Sequence, residues 1–357
     1  MELTVNQQRK LKQAATIILA GVVLGPFYVI FADGFDHWYP FANGIIVGFI
    51  LASIVAVLEV WVFTGGIRRV RFLILFAFRV FGYLLLIITV SFNVFLISRM
   101  RRFDMTYREV LQSEEFQDYI FKGDYYLVLI FVLVIIAVVN FTRQMSRKLG
   151  QGMLLAYISG RYRTPQREER IFMLFSLVSS HLIAERLGGI KFHMFLNDLF
   201  YDVTESIIVN EGIIAQYVED EVMVTWSMKK GLRNANCIRT YFQIKEELSS
   251  LNEHYYEKYG FVPKIRAGLH CGHIIRAEVG EVKTEVSFFG DTINTTSRIL
   301  DESHASEKGI MLSKNLMQQI QLPELYRFKK HGKITLRGKI DAVKLYTVKE
   351  IKHESPV

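Results

Sequence analysis

Apolar positions follow two regimes along this chain. Up to residue 141 they form long runs with few interruptions. Four of them, Gln13–Phe31, Phe41–Phe63, Phe72–Ser98 and Tyr125–Phe141, are long enough to cross a bilayer, for which about 20 apolar residues suffice. From about residue 168 the runs shorten to strand length and alternate with stretches of helical period. The pattern predicts a four-helix membrane domain over 1–141, a connector over 142–167, an α+β domain over 168–350 and a short tail over 351–357.

In the second regime, Ile171–Val178 reads as a buried strand, and Ser180–Leu187 and Phe192–Asn210 read as helices. Ile213–Val218 and Val222–Trp226 form a hairpin with acids at its tip. Asn234–Tyr259 has helical period. Ile265–His270 and His273–Glu278 read as two strands around Cys271-Gly272, and Val286–Phe289 as a further strand. Gly309–Leu312 is a strand, Lys314–Gln319 a helix, and Tyr326–Ile334 and Val343–Val348 are closing strands.

Charge refines the first regime. The net charge is +8, and much of the basic excess flanks the long runs. Arg9, Lys10 and Lys12 precede the first run, Arg68, Arg69 and Arg71 separate the second from the third, and Arg143, Arg147 and Lys148 follow the fourth. The loop Ala32–Pro40 carries two aspartates and no Lys or Arg. Basic flanks mark the cytoplasmic side, so both chain ends and the second domain are expected in the cytoplasm of an inner or plasma membrane. Arg99, Arg101 and Arg102 oppose this scheme, since they open a loop placed outside. Glu59 and Arg79 fall within runs and are expected to pair across the second and third spans. The basic charge accompanies no recognition motif, so a nucleic-acid partner is not expected.

The connector repeats Met145, Leu149, Met153, Leu154 and Ile158 at helical spacing, which suits a transmission helix ending near Gly160. Cys237 and Cys271 make no disulfide framework and no C-x-x-C pair, and are expected to be reduced thiols. No Walker, HExxH or GxSxG pattern occurs.

Candidate chemistry concentrates in Ser287–Ile299, S-F-F-G-D-T-I-N-T-T-S-R-I. A strand stops at Gly290-Asp291 and a helical pattern follows, with Asn294 and Arg298 four residues apart and so on one face. A guanidinium and an amide aimed the same way suit a phosphate and a hydroxyl.

The order of apolar strand, acidic hairpin, IRAGLHCGHII, FFGDTINTTSRI and LRGK resembles the catalytic domain of class III adenylate/guanylate cyclases, of the bacterial membrane-anchored type. The match is most specific at Gly290–Arg298, where G-D-T-x-N-x-x-x-R stands intact. The resemblance implies a ferredoxin-like α+β domain that dimerises head to tail, with active sites built from both chains. It implies attack of a ribose 3′-hydroxyl on the α-phosphate of a nucleoside triphosphate, with two Mg²⁺ or Mn²⁺ ions assisting. In that scheme Asn294 positions the ribose, Arg298 stabilises charge on the α-phosphate, and Lys339, with Arg337 beside it, holds the terminal phosphates.

Two departures accompany the resemblance. The family's first metal aspartate aligns with Ser176. The second is Asp220, but the glycine before it is replaced by Glu219, a possible substitute ligand. A neutral hydroxyl is a poor ligand for a hard cation. The base-selecting positions are Gln216 and Ser287, which leave ATP and GTP both open, with ATP ahead. The expected function is a membrane-anchored nucleotidyl cyclase working as a homodimer. The alternative is a catalytically impaired cyclase-like subunit acting as a regulatory or heterodimer partner. A channel or transporter is a third reading, disfavoured by the scarcity of polar groups in the long runs.

Overall fold

A computed structural model describes residues 5–33, 38–62, 72–121, 153–282, 284–335 and 342–351, with isolated positions between 122 and 152. The chain divides into two compact units, Met1–Met145 and Ser146–Val357.

The first unit is helical. It contains α1 (Val5–Asp33), α2 (Trp38–Val57), which runs on into a π-helical turn at Leu58–Val62, α3 (Phe72–Phe103), and the short α4 (Tyr107–Gln112) and α5 (Glu114–Phe121). Small residues let α1 and α2 touch backbone to backbone. A Cβ added at Gly21 would run into Ala52, and one at Gly25 or Gly48 into a carbonyl of the opposite helix. Such small-residue contacts suit helix pairing where no hydrophobic gradient drives it. Among the described residues one stretch, Gly44–Trp61, is long and apolar enough to span a membrane. Ala14–Pro26 and Val80–Val90 are shorter apolar stretches. The expected fourth span and the basic loop after the second lie largely outside the described residues. Glu59, in the π-helical turn, accepts a hydrogen bond from Tyr83 of α3. The side chain of its expected partner Arg79 is outside the described part.

The second unit begins with α6 (Met153–Ile158) and continues β1 (Gln166–Leu177), α7 (Ser180–Leu187), α8 (Gly189–Val209), β2 (Ile213–Val218) and β3 (Glu221–Ser227). After the single turn α9 (Met228–Leu232) come α10 (Asn236–Ser250), α11 (Asn252–Tyr259), β4 (Ile265–Val279), β5 (Glu285–Phe289) and α12 (Asp291–Ala305). The unit closes with β6 (Ile310–Ser313), α13 (Lys314–Met317), β7 (Tyr326–Ile334) and β8 (Val343–Glu350). The strands form one mixed sheet in the order β2-β3-β1-β4-β6-β8-β7, with β5 paired to the far end of β4. Its β2-β3-β1-β4 portion, with helices between β1 and β2 and between β3 and β4, is the βαββαβ ferredoxin-like arrangement.

One face of the sheet carries the main core. Ile171, Met173 and Phe175 of β1, Val222, Val224 and Trp226 of β3, and Ala267 and Leu269 of β4 pack against Phe195, Leu199, Val203 and Ile207 of α8 and Ile238 and Ile244 of α10. Strict alternation along each strand puts these residues on one side. Both cysteines are buried and free, and burial pushes their thiols up, Cys237 to about 12 and Cys271 to about 11. They are inert packing residues.

Cys271-Gly272 does not break a strand, as the two expected strands are one. Cys271 pairs with Ile171 and Gly272 with Arg170 in an unbroken ladder with β1. The two glycines of β4 serve the opposite face, where α12 lies. A Cβ on Gly268 would come within 2.4 Å of the Leu300 amide nitrogen, and one on Gly272 within 2.7 Å of Thr292 Oγ1. The expected helix over Asn234–Tyr259 starts only at Asn236, since Asn234 and Ala235 take positive φ, and is two helices because the chain turns at Leu251.

Since Gly268 admits α12 at backbone distance, Gly268→Ala should lower unfolding free energy by about 1–3 kcal/mol, the usual cost of overpacking. Denaturant unfolding of the full chain checks this. An unchanged midpoint would mean that α12 does not rest on β4.

Candidate active site

The site is organised by the way α12 lies on β4. Thr292, Thr295, Thr296, Ile299, Leu300 and Ser303 are its buried residues. Short side chains at the first three positions match the close approach to the β4 glycines. Thr292 Oγ1 donates to the His273 carbonyl at 2.8 Å, and Thr296 Oγ1 to the Thr292 carbonyl at 2.8 Å. The helix starts at Gly290, whose φ of 146° is open to glycine and where a Cβ would also crowd the His273 carbonyl at 3.2 Å. Asn294 is therefore exposed and Arg298 half-buried on the face turned away from the sheet. Asp301, also exposed, continues that face.

The far end of α12 meets the ends of β1 and β3. Ser176 is paired in register with Glu221 of β3 and Arg266 of β4, so all three side chains share the α12 face. Ser176 is 5% exposed, and its Oγ lies 2.7 Å from His304 Nε2 at the last turn of α12. Arg266 Nη1 donates to the His304 carbonyl at 2.8 Å, placing a cation at a helix C-terminus. Glu221 was expected only as a hairpin-tip acid that could join Asp220, and His304 was not anticipated from the sequence. The contact between Ser176 and His304 spans 128 residues, and no local pattern announces it.

Glu219 and Asp220 are the two turn residues between β2 and β3, closed by the Val218–Glu221 pair. Glu219 is exposed with φ 52°, and Asp220 is half-buried. Two-residue hairpins favour glycine where φ is positive, so the turn has kept the shape that suits a glycine. The carboxylate facing Ser176 across the strands is that of Glu221, not Glu219. Burial raises the Glu221 carboxyl above its ordinary value, with Asp220, Asp301 and Glu219 adding to the effect. Burial, and then Arg266, lowers the His304 imidazole, against the pull of Asp220 and Asp301.

These groups do not make a two-ion site. The first aspartate position holds a neutral hydroxyl already paired with an imidazole. Among the described residues no three His, Cys, Asp or Glu side chains are grouped so as to hold a metal. Hard divalent cations take several oxygen ligands, commonly carboxylates, and this cluster offers one half-buried aspartate at a turn and the Glu221 carboxylate beside a neutral hydroxyl.

The two residues expected to select the base sit on different rungs. Gln216 is exposed on β2 and pairs with Met223, which is level with Leu174 and, on β4, with Gly268. Ser287 of β5 pairs with Ala277, nine residues further along β4. Arg337 and Lys339 lie outside the described residues.

This arrangement has counterparts. Residues 164–350 match the family described as the adenylate and guanylate cyclase catalytic domain. That is more than half of the chain, which belongs to the class III adenylate/guanylate cyclase family. Among its relatives, adenylate cyclase 2 of Rhizobium meliloti (strain 1021) is 32% identical over 212 residues, covering 59% of this chain and 58% of that protein. Guanylate cyclase 2G of Rattus norvegicus is 25% identical over 189 residues, covering 51% of this chain and 16% of that one. The chain thus matches less than two thirds of the length of either relative. A solved structure of a bacterial light-regulated adenylyl cyclase superposes with a TM-score of 0.52 at 19% identity, over 61% of this chain and 64% of that one, a likeness of fold.

Two outcomes follow from the turn and the imidazole. Glu219→Gly should stabilise the full chain by about 1 kcal/mol, since a side chain with positive φ costs about that much; chemical unfolding checks it. For His304 the unfolded chain binds the proton more readily than the fold does. Its contribution to stability is therefore complete above the ordinary imidazole value of 6.5 and is lost as pH falls through the lowered folded value. His304→Gln should flatten the fall in unfolding free energy between about pH 7 and pH 5. Glu221 has the opposite sign: its contribution is present at low pH and lost as pH rises through the raised value. Unfolding curves at a series of pH values, with Glu221→Gln alongside, separate the two.

Proposed function

We propose that this chain is the catalytic subunit of a nucleotidyl cyclase that converts ATP to the cyclic 3′,5′-monophosphate and pyrophosphate. One observation carries the reading: α12 is fixed to β4 through Gly268 and Gly272, and so presents Asn294 and Arg298 together on an open face within a cyclase catalytic domain. In this reading Asn294 holds the ribose so that its 3′-oxygen lines up with the α-phosphate. Arg298 then neutralises charge as the bond to that phosphorus forms and the pyrophosphate bond breaks. Arg337 and Lys339, from the L-R-G-K segment, hold the departing phosphates. The likeness to adenylate cyclase 2 supports ATP over GTP, with Gln216 and Ser287 as the candidates for base selection.

Asn294 sits in the first turn of α12 and Arg298 at its middle, and the Ser176–His304 pair lies at its last turn. From Arg298 to His304 is about 9 Å at 1.5 Å per residue. A head-to-tail dimer brings the phosphate-binding end of one chain against the acidic end of another. Divalent ions are part of the family's chemistry, and the acidic end of this chain is ill-suited to hold them. The second reading, favoured by the Ser176–His304 hydrogen bond, is that this chain lends Asn294, Arg298 and Lys339 to a heterodimer whose metal carboxylates come from a different cyclase chain.

Residues 1–141 serve in this reading as a four-span membrane anchor, with the N-terminus and the cyclase domain on the cytoplasmic side of an inner or plasma membrane. The apolar stretch Gly44–Trp61, the basic flanks and the small-residue contact of α1 with α2 support it. Residues 142–167 join the anchor to the cyclase domain over 168–350.

Purified full-length protein supplied with ATP or GTP and Mn²⁺ or Mg²⁺ should form the cyclic nucleotide. Arg298→Ala should lower kcat by about 10²–10³-fold, as for loss of one preorganised transition-state donor. Turnover absent from the native chain but restored by Ser176→Asp selects the second reading. Activity that survives Arg298→Ala and Asp220→Ala refutes both.

A further inference from the structure

Arg276 is a charged residue in an unusual setting. It lies on β4 opposite Phe288 of β5, with its guanidinium carbon 4.9 Å from the centre of the Phe288 ring and 4.2 Å from that of Tyr162. Nη1 donates to the Tyr162 hydroxyl at 2.7 Å, and Nη2 to Met153 Sδ at 3.0 Å. Its Nε is buried with no hydrogen-bond partner. Among the described residues it forms no ion pair; the neighbouring Arg170 takes Glu168 at 3.0 Å. The guanidinium is therefore held by two rings, a phenol and a thioether. Three of those four groups, supplied by Met153 and Tyr162, precede β1.

Further bonds tie the same segment to the β4–β5 pair. The Tyr162 carbonyl accepts from the Glu278 amide at 3.0 Å, and the Tyr157 hydroxyl donates to the Thr284 carbonyl at 3.3 Å. Tyr162 is 4% exposed and its hydroxyl also donates to Glu168 at 3.4 Å. Residues 153–162 are thus seated on the strand pair that ends at Gly290. Beyond Gly290 the chain has no slack: β5 carries Ser287 beside Phe288, and Asn294 is the fourth residue of α12.

We propose that Arg276 is a positioning residue for the reaction, transmitting the seating of residues 153–162 to β5, and so placing Ser287 beside the base and Asn294 and Arg298 at the reacting phosphate. The inference rests on the cyclase reading for what is positioned, and on the contacts alone for the fact of positioning. A half-buried cation with no direct ion pair stays where its packing partners, with the nearby Glu168 carboxylate, hold it. Withdrawal of Met153 and Tyr162 would release Arg276 and with it one side of β5.

The test uses the full-length chain with Arg276→Met, Arg276→Lys and Tyr162→Phe. Hydrogen exchange followed by mass spectrometry should rise about tenfold or more over 284–298 in the Met and Phe variants while β2 and β3 keep their protection. Steady-state kinetics should show kcat reduced about tenfold or more with KM changed less than about threefold, because the lost interaction acts at the transition state. Lysine, which keeps the charge and a donor toward Tyr162, should recover at least about a third of the lost kcat. Exchange over 284–298 that matches wild type, or that rises throughout the domain, overturns the proposal. So does a fall in kcat that lysine leaves unrelieved. If the wild-type chain turns over no nucleotide, the cyclase reading fails, and the exchange measurement still decides whether Arg276 holds β5.

Discussion

The closeness of α12 to β4 is the constraint from which the rest of the catalytic unit follows. A helix resting on a strand is usually held off by side chains from both partners. Here glycine at two positions of β4 and threonine at three positions of α12 remove most of that padding. The helix can then neither roll nor shift along the strand without meeting backbone. Its remaining face is left with a fixed direction, and that face carries the amide and the guanidinium. The same constraint carries His304 to the end of β1, where it satisfies the hydroxyl of Ser176. A weaker seat would free both ends at once.

The two ends differ in electrostatic character. Near Asn294 and Arg298 the surface is open and suited to an anion. Near Ser176 the groups are half-buried, mutually repelling acids beside an imidazole disinclined to take a proton. Burial is the larger cause for Glu221 and for His304 alike, so both charged forms are disfavoured there. With a neutral hydroxyl at Ser176 where the family carries a carboxylate, the cluster offers few hard ligands to a divalent cation unless more arrive from outside the chain.

Much of the catalytic unit was legible in the sequence where local periodicity and turn chemistry determine structure. The β2–β3 hairpin, α7, α8 and β7 lie close to where their patterns place them, because each buries one face and ends at a recognisable breaker. Cys271-Gly272 misled because a glycine in a strand can mark either a turn or a close neighbour, and only the partner, Thr292, distinguishes the two. Thr295 and Thr296 of N-T-T-S belong to the buried face of α12, which a polar composition does not announce. In the candidate site, the i, i+4 pairing of Asn294 and Arg298 was readable from one helix. The roles of His304 and Arg276 were not, since each depends on a contact more than a hundred residues away, and which hairpin acid faces Ser176 was fixed only by strand register.

The contact between α1 and α2 has a mechanical consequence of its own. Where backbones touch through Gly21, Gly25, Gly44 and Gly48, no flexible side chains lie between the helices to absorb displacement. Sliding one past the other would force a carbonyl over a neighbouring chain. The two helices therefore behave as a single stiff strut, and bending within this hairpin is concentrated at Pro26 and at the π-helical turn beyond Val57.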